Sequence, residues 1–421
     1  MSTATPEVLE QGPADRVAAR TVIASHSLQH VYGQGFYVIL PELYMALGLT
    51  PITAGAIEAV RRIASGLASM VGGFLLDRFE HRRVAALFWS LAAMAVGYVL
   101  VGLSQTYGTI LLAVLLAGAA GSIWHPAAIG LLSRTMPSRR GFIVTLHRAS
   151  GSVGDVVGPV VAGLLLVVVG WRSILIGALP LTLLAAAGLA WTLRRAPAWA
   201  ALRRSGPRTR GSRDQARAIG RLLRSRGLLL LLLVAGVSGI GQGGLMMWLG
   251  LYLRETQGMG SVGIGIHVGM LTGVGIVTGP LLGRLSDSIG RKPVIVAVIA
   301  AKTALAALMA ITGSGLVFSV LVALIGSVLF ATNGLVQAAA LDLADREGLE
   351  GSMIGLLWGS NALFVGAAPL LLGALIASYG YGLLFWWVAV LNLVAAVIAT
   401  AMPPIPRPGE RIDGPASAVP A

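Results

Sequence analysis

The sequence contains no cysteine and little charge of either sign. The first absence excludes disulfides, thiolate metal sites and cysteine nucleophiles, and it leaves the compartment open. The second is sharper. Asp, Glu, Lys and Arg make up 11% of the 421 residues, against roughly 25% in a soluble globular domain. Acid is scarcest, with 17 Asp and Glu beside 31 Lys and Arg, for a formal net charge of +14. No Walker-type GxxxxGK[ST] segment is present, so nothing points to direct use of ATP. Without a GxSxG nucleophile turn or clustered metal ligands, an embedded enzyme has no support, and no cofactor or metal is expected. No short apolar core with a small-residue cleavage site precedes the first apolar run. Residues 1–20 are polar and include Glu7, Glu10 and Asp15, so no removable signal peptide is expected.

What fills the chain is apolar: 56% hydrophobic residues and a mean hydropathy of +0.82. Runs such as 84–103 and 227–253 suffice to cross a ~30 Å hydrocarbon layer at 1.5 Å per residue. The ~10-residue alternating segments of a transmembrane barrel are missing. The reading is an all-α polytopic membrane protein with twelve spans, at 21–47, 52–76, 84–104, 107–132, 141–169, 173–194, 227–253, 261–285, 293–313, 315–342, 351–379 and 380–402. These divide into a tail (1–20), a six-helix bundle (21–194), a linker (195–226), a second six-helix bundle (227–402) and a second tail (403–421).

The positive charge is distributed by side. The tails and the loops after even-numbered spans hold 25 Lys and Arg, the opposite face only Arg172 and Arg254. Cytoplasmic loops carry such an excess, so both termini are expected in the cytoplasm and the chain in an inner or plasma membrane. The basic balance is then topology, and nucleic acid is not expected as a partner. In the linker, Arg217, Arg221 and Arg224 share one helical stripe and Ile219, Leu222 and Leu223 another. That is the pattern of a helix lying on anionic lipid, or more plainly of an orientation anchor.

The stretch GGFLLDRFEHRR (72–83) ends an apolar run on Asp77 and packs Arg78, Arg82 and Arg83 behind it; GRLSDSIGRKP (283–293) repeats it. Asp77 and Asp287 are 210 residues apart, as are Pro159 and Pro369, Gly163 and Gly373, Gly170 and Gly380, and Gly141 and Gly351. One gapless offset of half the chain implies two like-oriented units related by an axis along the membrane normal.

These motifs resemble those of the major facilitator superfamily, with its conserved-type loop of glycine, small residues, Asp and paired bases after spans two and eight. The first copy departs from it with Glu80 for glycine and His81 for a base, and the second has Ser288 where the first has Arg78. A span-end aspartate can cap a neighbouring helix N-terminus and pair with guanidinium groups. The resemblance implies that Gly73, Asp77, Arg78 and Arg82, with Gly283, Asp287, Arg291 and Lys292, form a gate latching the halves when the site faces outward. More narrowly, SHSLQH (25–30), GSIWHP (121–126) and LHRASGSVGDVVGPVVAG (146–163) resemble the fosmidomycin-resistance branch, a group of proton-driven exporters. Gly154, Gly158, Pro159 and Gly163 resemble the fifth-span motif of antiporters, although Thr145 stands where that motif has a further glycine.

Ionisable residues inside spans are costly and therefore functional candidates. Glu58 and Arg62 make an i,i+4 pair beside Arg61; this is either a structural ion pair or a switch in which Glu58 gains a proton when an arginine leaves. Asp155 shares a helix face with Arg148, about 10 Å along the axis, and is read as the coupling site, the alternative being a structural bridge to span one or four. His125 precedes Pro126, where a bend is expected. His26 and His30 form an i,i+4 pair continued by Gln34 and Tyr37. Zinc is not expected there, because the HExxH glutamate and a nearby third ligand are missing; the histidines are read as protonatable or solute-binding, or as packed and neutral. Proton coupling thus falls to Asp155, Glu58, His125 and His30.

Solute contacts fall to Arg148, His26, Gln34, Tyr37, Arg61 and Arg62 in the first half, and to Gln242, Trp248, Asn333, Gln337, Trp358 and Asn361 in the second. Lys302, on the peripheral ninth span, is expected to snorkel or pack. The function implied is secondary transport of a small organic solute by alternating access of a monomer, most simply proton-coupled efflux. The alternative is uptake or exchange of a small anion, favoured by the arginines and histidines.

Overall fold

The computed structural model describes residues 12–135, 140–197, 220, 224–344, 361 and 364–405, without the side chains of 74, 77, 78, 80, 133–145 and 341–344. Every regular element among these residues is helical. The first three spans are Pro13–Ala46, Pro51–Arg78 and Arg83–Leu103. The fourth is Tyr107–Ser122 continued by Trp124–Thr135, the fifth Arg140–Val168 and the sixth Trp171–Arg195. The seventh is Arg226–Glu255, the eighth Ser261–Gly273 continued by Gly275–Ile289, and the ninth Arg291–Thr312. The tenth is Gly315–Leu329 continued by Ala331–Ala344, the described part of the eleventh includes Ala368–Tyr379, and the twelfth is Leu383–Thr400. By length and composition, nine described helices can cross a bilayer. Outward-facing apolar residues such as Leu184, Leu316 and Val168 are 71%, 80% and 78% exposed, a surface suited to lipid and not to water.

Local chemistry sets the ends. Thr50 and Thr106 each close a capping box at the start of spans two and four, the former with Pro51 behind it, so the first orphan N–H groups are satisfied. Span eight ends at Gly290 with φ +103°, which a residue with a Cβ resists. The first copy has Glu80 there. It leaves the helix through a 3₁₀ turn, Glu80–Arg82, instead, and no described non-glycine residue has positive φ. The departure from the motif thus has a local structural counterpart. The first span begins at Pro13, eight residues before the expected 21, because Ala18 and Ala19 are already buried. Spans four, eight and ten, expected to be continuous, each break. In span four the break at Ile123 lies one turn before Pro126, whose ring excludes the carbonyl four residues back.

The halves meet along two seams, spans five and eight, and spans two and eleven. The seams are copies of one another. A Cβ added to Gly265 would strike the Pro159 carbonyl, and one added to Gly55 would strike that of Pro369; each falls inside the 3.0 Å that real Cβ atoms avoid. Gly163 against Ser261 repeats as Gly373 against Pro51 in the same way. All four correspondences carry the offset of 210. Bare backbone contact is what glycine permits at such crossings.

Both seams lie toward the face away from the chain ends, called the far face below. There Glu42 and Arg254, at the ends of spans one and seven, form a 2.6 Å ion pair. The main buried cluster runs through both halves, joining Phe36–Leu43 residues to Leu245–Leu253 residues. Toward the terminal face the second half has a separate core built on Leu228, Leu231, Val294, Ile295, Val336 and Ala399. Packing is therefore shared between halves on the far side and separate in the second half on the terminal side.

Candidate functional site

Span one lies directly on span five because span five offers glycine there. A Cβ at Gly154 or Gly158 would meet the Ser27 or Val31 carbonyl. This approach sets the histidine stripe of span one against the polar turn of span five. His26 Nδ1 lies 2.7 Å from the His147 carbonyl oxygen, His26 Nε2 lies 3.1 Å from His30 Nε2, and His30 Nδ1 lies 2.6 Å from Asp155 Oδ1. Ser27 Oγ donates to the Ser150 carbonyl at 2.6 Å beside them.

The partners limit where protons can sit. The His147 carbonyl only accepts, so His26 Nδ1 carries hydrogen. A neutral His26 then presents a lone pair at Nε2, and His30 Nε2 must donate to it. His30 Nδ1 next faces Asp155: either Asp155 is protonated and donates, or His30 is an imidazolium and Asp155 a carboxylate. If His26 is the imidazolium, the extra proton has only moved along. With no extra proton, an ionised Asp155 takes hydrogen from His30 Nδ1, and two bare Nε2 lone pairs face each other across 3.1 Å. The chain Asp155–His30–His26 can hold one proton beyond a carboxylate and two neutral imidazoles. Across the seam, Thr272 Oγ1 of span eight donates to the Asp155 carbonyl at 2.8 Å.

His125 and His147 complete a four-imidazole cluster. Nitrogens of His26, His125 and His147 all come within 4.8 Å of one another, so the further ligand that the sequence did not place nearby is there in space. The His26 and His147 rings, however, stack at 3.8 Å and 14°. Lone pairs in two nearly parallel ring planes do not converge on one point, and tetrahedral imidazole ligation at about 2.0–2.1 Å needs convergence. His26 and His30 belong to a hydrogen-bond chain, which His147 joins through its backbone carbonyl while its two ring nitrogens have no hydrogen-bond partner among the described residues.

The second cluster is built on Glu58, 1% exposed. Arg61 donates to it through Nε and Nη2, both at 2.8 Å, and Arg62 through Nε at 2.6 Å. Tyr37 Oη donates to Glu58 Oε1 at 2.7 Å and accepts from Arg61 and Arg62 Nη2 at 3.0 and 2.8 Å. The expected Glu58–Arg62 pair is thus one arm of a four-residue network. One carboxylate for two guanidinium groups leaves a positive excess, and the Arg62 side chain stays a quarter exposed beside Gly243 of span seven.

Other candidates are placed as follows. Arg148 does not meet Asp155; its Nη1 donates to Gln337 Oε1 at 2.7 Å, joining span five to span ten. Asp155 instead bridges to span one, the structural alternative left open by the sequence. Asn333 is half-buried on the same helix as Gln337, and Asn361 lies against Gly239. Gln34 and Gln242 each keep a buried Oε1 with no hydrogen-bond partner among the described residues. Trp248 is fully buried, donating to the Pro369 carbonyl at 3.3 Å and packing at Gly373; it braces a seam and offers a solute no surface here. Lys302 does not snorkel. It is fully buried and donates to Ser238, which donates to Asn392. Trp358, the Asp77 and Arg78 side chains and nearly all of the basic linker lie outside the described residues.

In the loop motifs, Asp287 pairs with Arg291, and Arg291 also donates to Ser286 at 2.7 Å. Lys292 donates to the Met402 carbonyl at 2.5 Å, and Arg82 lies over Phe79. These contacts stay within one half. Gly73 faces Pro126, and Gly283 has open space around it.

The sequence model of the Major Facilitator Superfamily matches residues 24–364. The chain belongs to this superfamily. Among curated proteins it is 28% identical over 279 residues to the tetracenomycin C resistance and export protein of Streptomyces glaucescens, covering 54% of this chain and 51% of that one. It is 26% identical over 172 residues to the fosmidomycin resistance protein of Escherichia coli, covering 38% and 41%. The chain thus spans about half the length, or less, of these two relatives. The multidrug resistance protein MdtG of Yersinia enterocolitica is 26% identical over 383 residues, covering 87% and 88%. A solved bacterial homologue of the human lysosomal transporter Spinster, inward-facing and unoccupied, superposes with a TM-score of 0.70 at 15% identity over 92% of this chain and 96% of that one. That likeness is one of fold: the twelve-helix, two-bundle architecture of the superfamily.

Within this superfamily member, sequence reasoning passed over His147, Thr272 and Ser150. His147 had a signal, since it lies four residues before Gly151 on the glycine-lined face of span five. Thr272 had none, because its partner is a backbone carbonyl in the other half.

Proposed function

We propose that this chain exports a small organic solute in exchange for protons, by alternating access across an inner or plasma membrane, with both termini cytoplasmic. The observation that carries the reading is the Asp155–His30–His26 chain, whose geometry has room for one additional proton and whose aspartate is tied across the seam to Thr272. Releasing that proton sets two lone pairs against each other, so His30 must leave His26 and the span one–span five contact changes with protonation. The curated relatives, named for resistance and export, support efflux as the direction. The monomer is the working unit, with anionic lipid under the basic linker at 195–226.

The solute class follows from charge. Arg61 and Arg62 share one carboxylate, and among the described residues Arg148 meets a neutral amide, which supports an anionic solute such as a phosphonate. The same excess favours a second reading, uptake or exchange of a small anion. Purified protein in liposomes, given an imposed pH gradient and screened against phosphonates, organic acids and amphipathic drugs, separates the two. Proton–solute antiport accumulates solute on the acidic side. Anion exchange proceeds without a pH gradient and responds instead to a trans anion, and that result overturns the export reading.

A further inference from the structure

Outside the transport path, spans three and six leave a groove on the bundle exterior at the terminal face. Its volume is ≈ 700 Å³, and it is lined by His81, Val84, Phe88, Trp191, Arg194 and Arg195, with Trp89 and small alanines between them. Trp89 and Trp191 are 64% and 56% exposed. Aromatic residues so placed mark the headgroup level of a bilayer. Arg195 Cζ lies over the Trp191 ring, 3.9 Å from its centroid. Among the described residues, Arg194 and Arg195 have no ion-pair partner and no carboxylate lines the groove.

The repeat gives a second, independent observation. Shifted by 210, Val84 and Phe88 become Val294 and Val298. In the second half these two pack in one core with Met402 and Ile405, the chain's own continuation beyond span twelve, and Lys292 fastens that continuation through the Met402 carbonyl. The first half continues instead into Arg194 and Arg195, and the equivalent trough stays open. One half fills the position with its own residues; the other presents an apolar floor under a basic rim.

We propose that this groove binds one anionic phospholipid of the surrounding leaflet, its phosphate between Arg194 and Arg195 and its acyl chains along Val84, Phe88 and the alanines Ala85, Ala187 and Ala190. An anionic headgroup matches the rim in charge, and the groove falls within the ~300–1,000 Å³ range of ligand pockets. This site is separate from the linker and from the solute path.

The test uses full-length protein in detergent, with quenching of tryptophan emission by phosphatidylglycerol or phosphatidylcholine carrying brominated chains. Phosphatidylglycerol is expected to quench at the lower mole fraction, and Trp89→Phe/Trp191→Phe to abolish that difference. At about fivefold per arginine near an anionic surface, Arg194→Ala/Arg195→Ala should weaken the preference about 30-fold. Replacing the linker arginines Arg203, Arg204, Arg208 and Arg210 by Gln should leave it intact, and inorganic phosphate should not displace the lipid. Native mass spectrometry of the unaltered protein, counting retained phosphatidylglycerol, needs no variant. Equal quenching by the two lipids, a preference that survives the arginine pair's removal, or loss of it with the linker variants overturns the proposal.

Discussion

Replacing Asp155 by Asn separates holding the chain together from moving its proton. In the wild-type chain, His30 Nδ1 lies 2.6 Å from Asp155 Oδ1 and His30 Nε2 lies 3.1 Å from His26 Nε2. An asparagine Nδ2 can donate to His30 Nδ1 just as a protonated aspartate does, so the whole chain survives with His30 and His26 neutral. It cannot give that hydrogen up. Asp155→Asn is therefore a permanent mimic of the protonated state, and its cost in stability should be small. Asp155→Ala leaves His30 Nδ1 without a partner in a half-buried site, an unsatisfied group worth about 1–3 kcal/mol. The functional contrast is larger. A gradient of two pH units supplies about 2.7 kcal/mol per proton, enough for roughly 100-fold accumulation at one proton per solute. In liposomes the wild type should approach that ratio, while Asp155→Asn should show no gradient-driven accumulation and yet retain solute counterflow and binding. Thermal unfolding should rank Asn near wild type and Ala below it. Gradient-driven accumulation by Asp155→Asn would refute the reasoning outright, and loss of binding together with transport would show that Asp155 holds solute.

Glu58→Gln leaves two guanidinium groups around a neutral amide and should destabilise by about 3–5 kcal/mol, the usual effect of removing one partner from a buried pair, seen as a lowered unfolding midpoint. Arg148→Gln removes an uncompensated charge without disturbing an ion pair, so affinity for anionic solutes should fall about tenfold or more while that for neutral solutes holds, measured by binding competition. Gly265→Val and Gly55→Val occupy copies of one seam and should cost alike, about 1–3 kcal/mol each for overpacking; a marked difference between them in unfolding experiments would contradict the pseudo-twofold relation.

The spans were legible because lipid leaves a chain few choices: uninterrupted apolar runs must be helices, and helix length follows bilayer thickness. The bend before Pro126 was legible from the missing N–H. The breaks at Val274 and Phe330 were not, since no proline sits at the right distance and the cause lies in packing. The Glu58–Arg62 contact was legible because both residues belong to one helix turn. For Asp155 the sequence placed Arg148 on the same face about 10 Å away and left open a bridge to span one or four; the structure gives it His30 of span one, a choice that depends on which helix packs against span five. Gly154 and Gly158 held the needed information, a face of span five bare enough to admit span one. Trp248 was placed at the solute because aromatic residues on inner spans often line cavities, whereas its indole here fills the space beside Gly373.

The duplication that shapes the seams also relates the two polar clusters. Shifted by 210, Asp155 becomes Val365 and Thr272 becomes Arg62; Glu58 becomes Val268, Arg61 becomes Leu271 and His30 becomes Ile240. Asp155 meets Thr272 across the seam of spans five and eight. The equivalent place on the other seam holds Val365 and Arg62, both close to Gly243. The scaffold thus repeats while the chemistry does not: at each seam the first half brings the ionisable group and the second a hydroxyl or a valine. In the alternating access proposed above, rocking about the shared axis would displace both seams together, since each is the image of the other. A motion that pulls Thr272 from the Asp155 carbonyl therefore also moves Arg62 relative to Val365 and Gly243. On that proposal, protonation at one seam and the exposure of an arginine at the other would be joined by symmetry of the backbone, with no hydrogen-bonded wire between the two clusters.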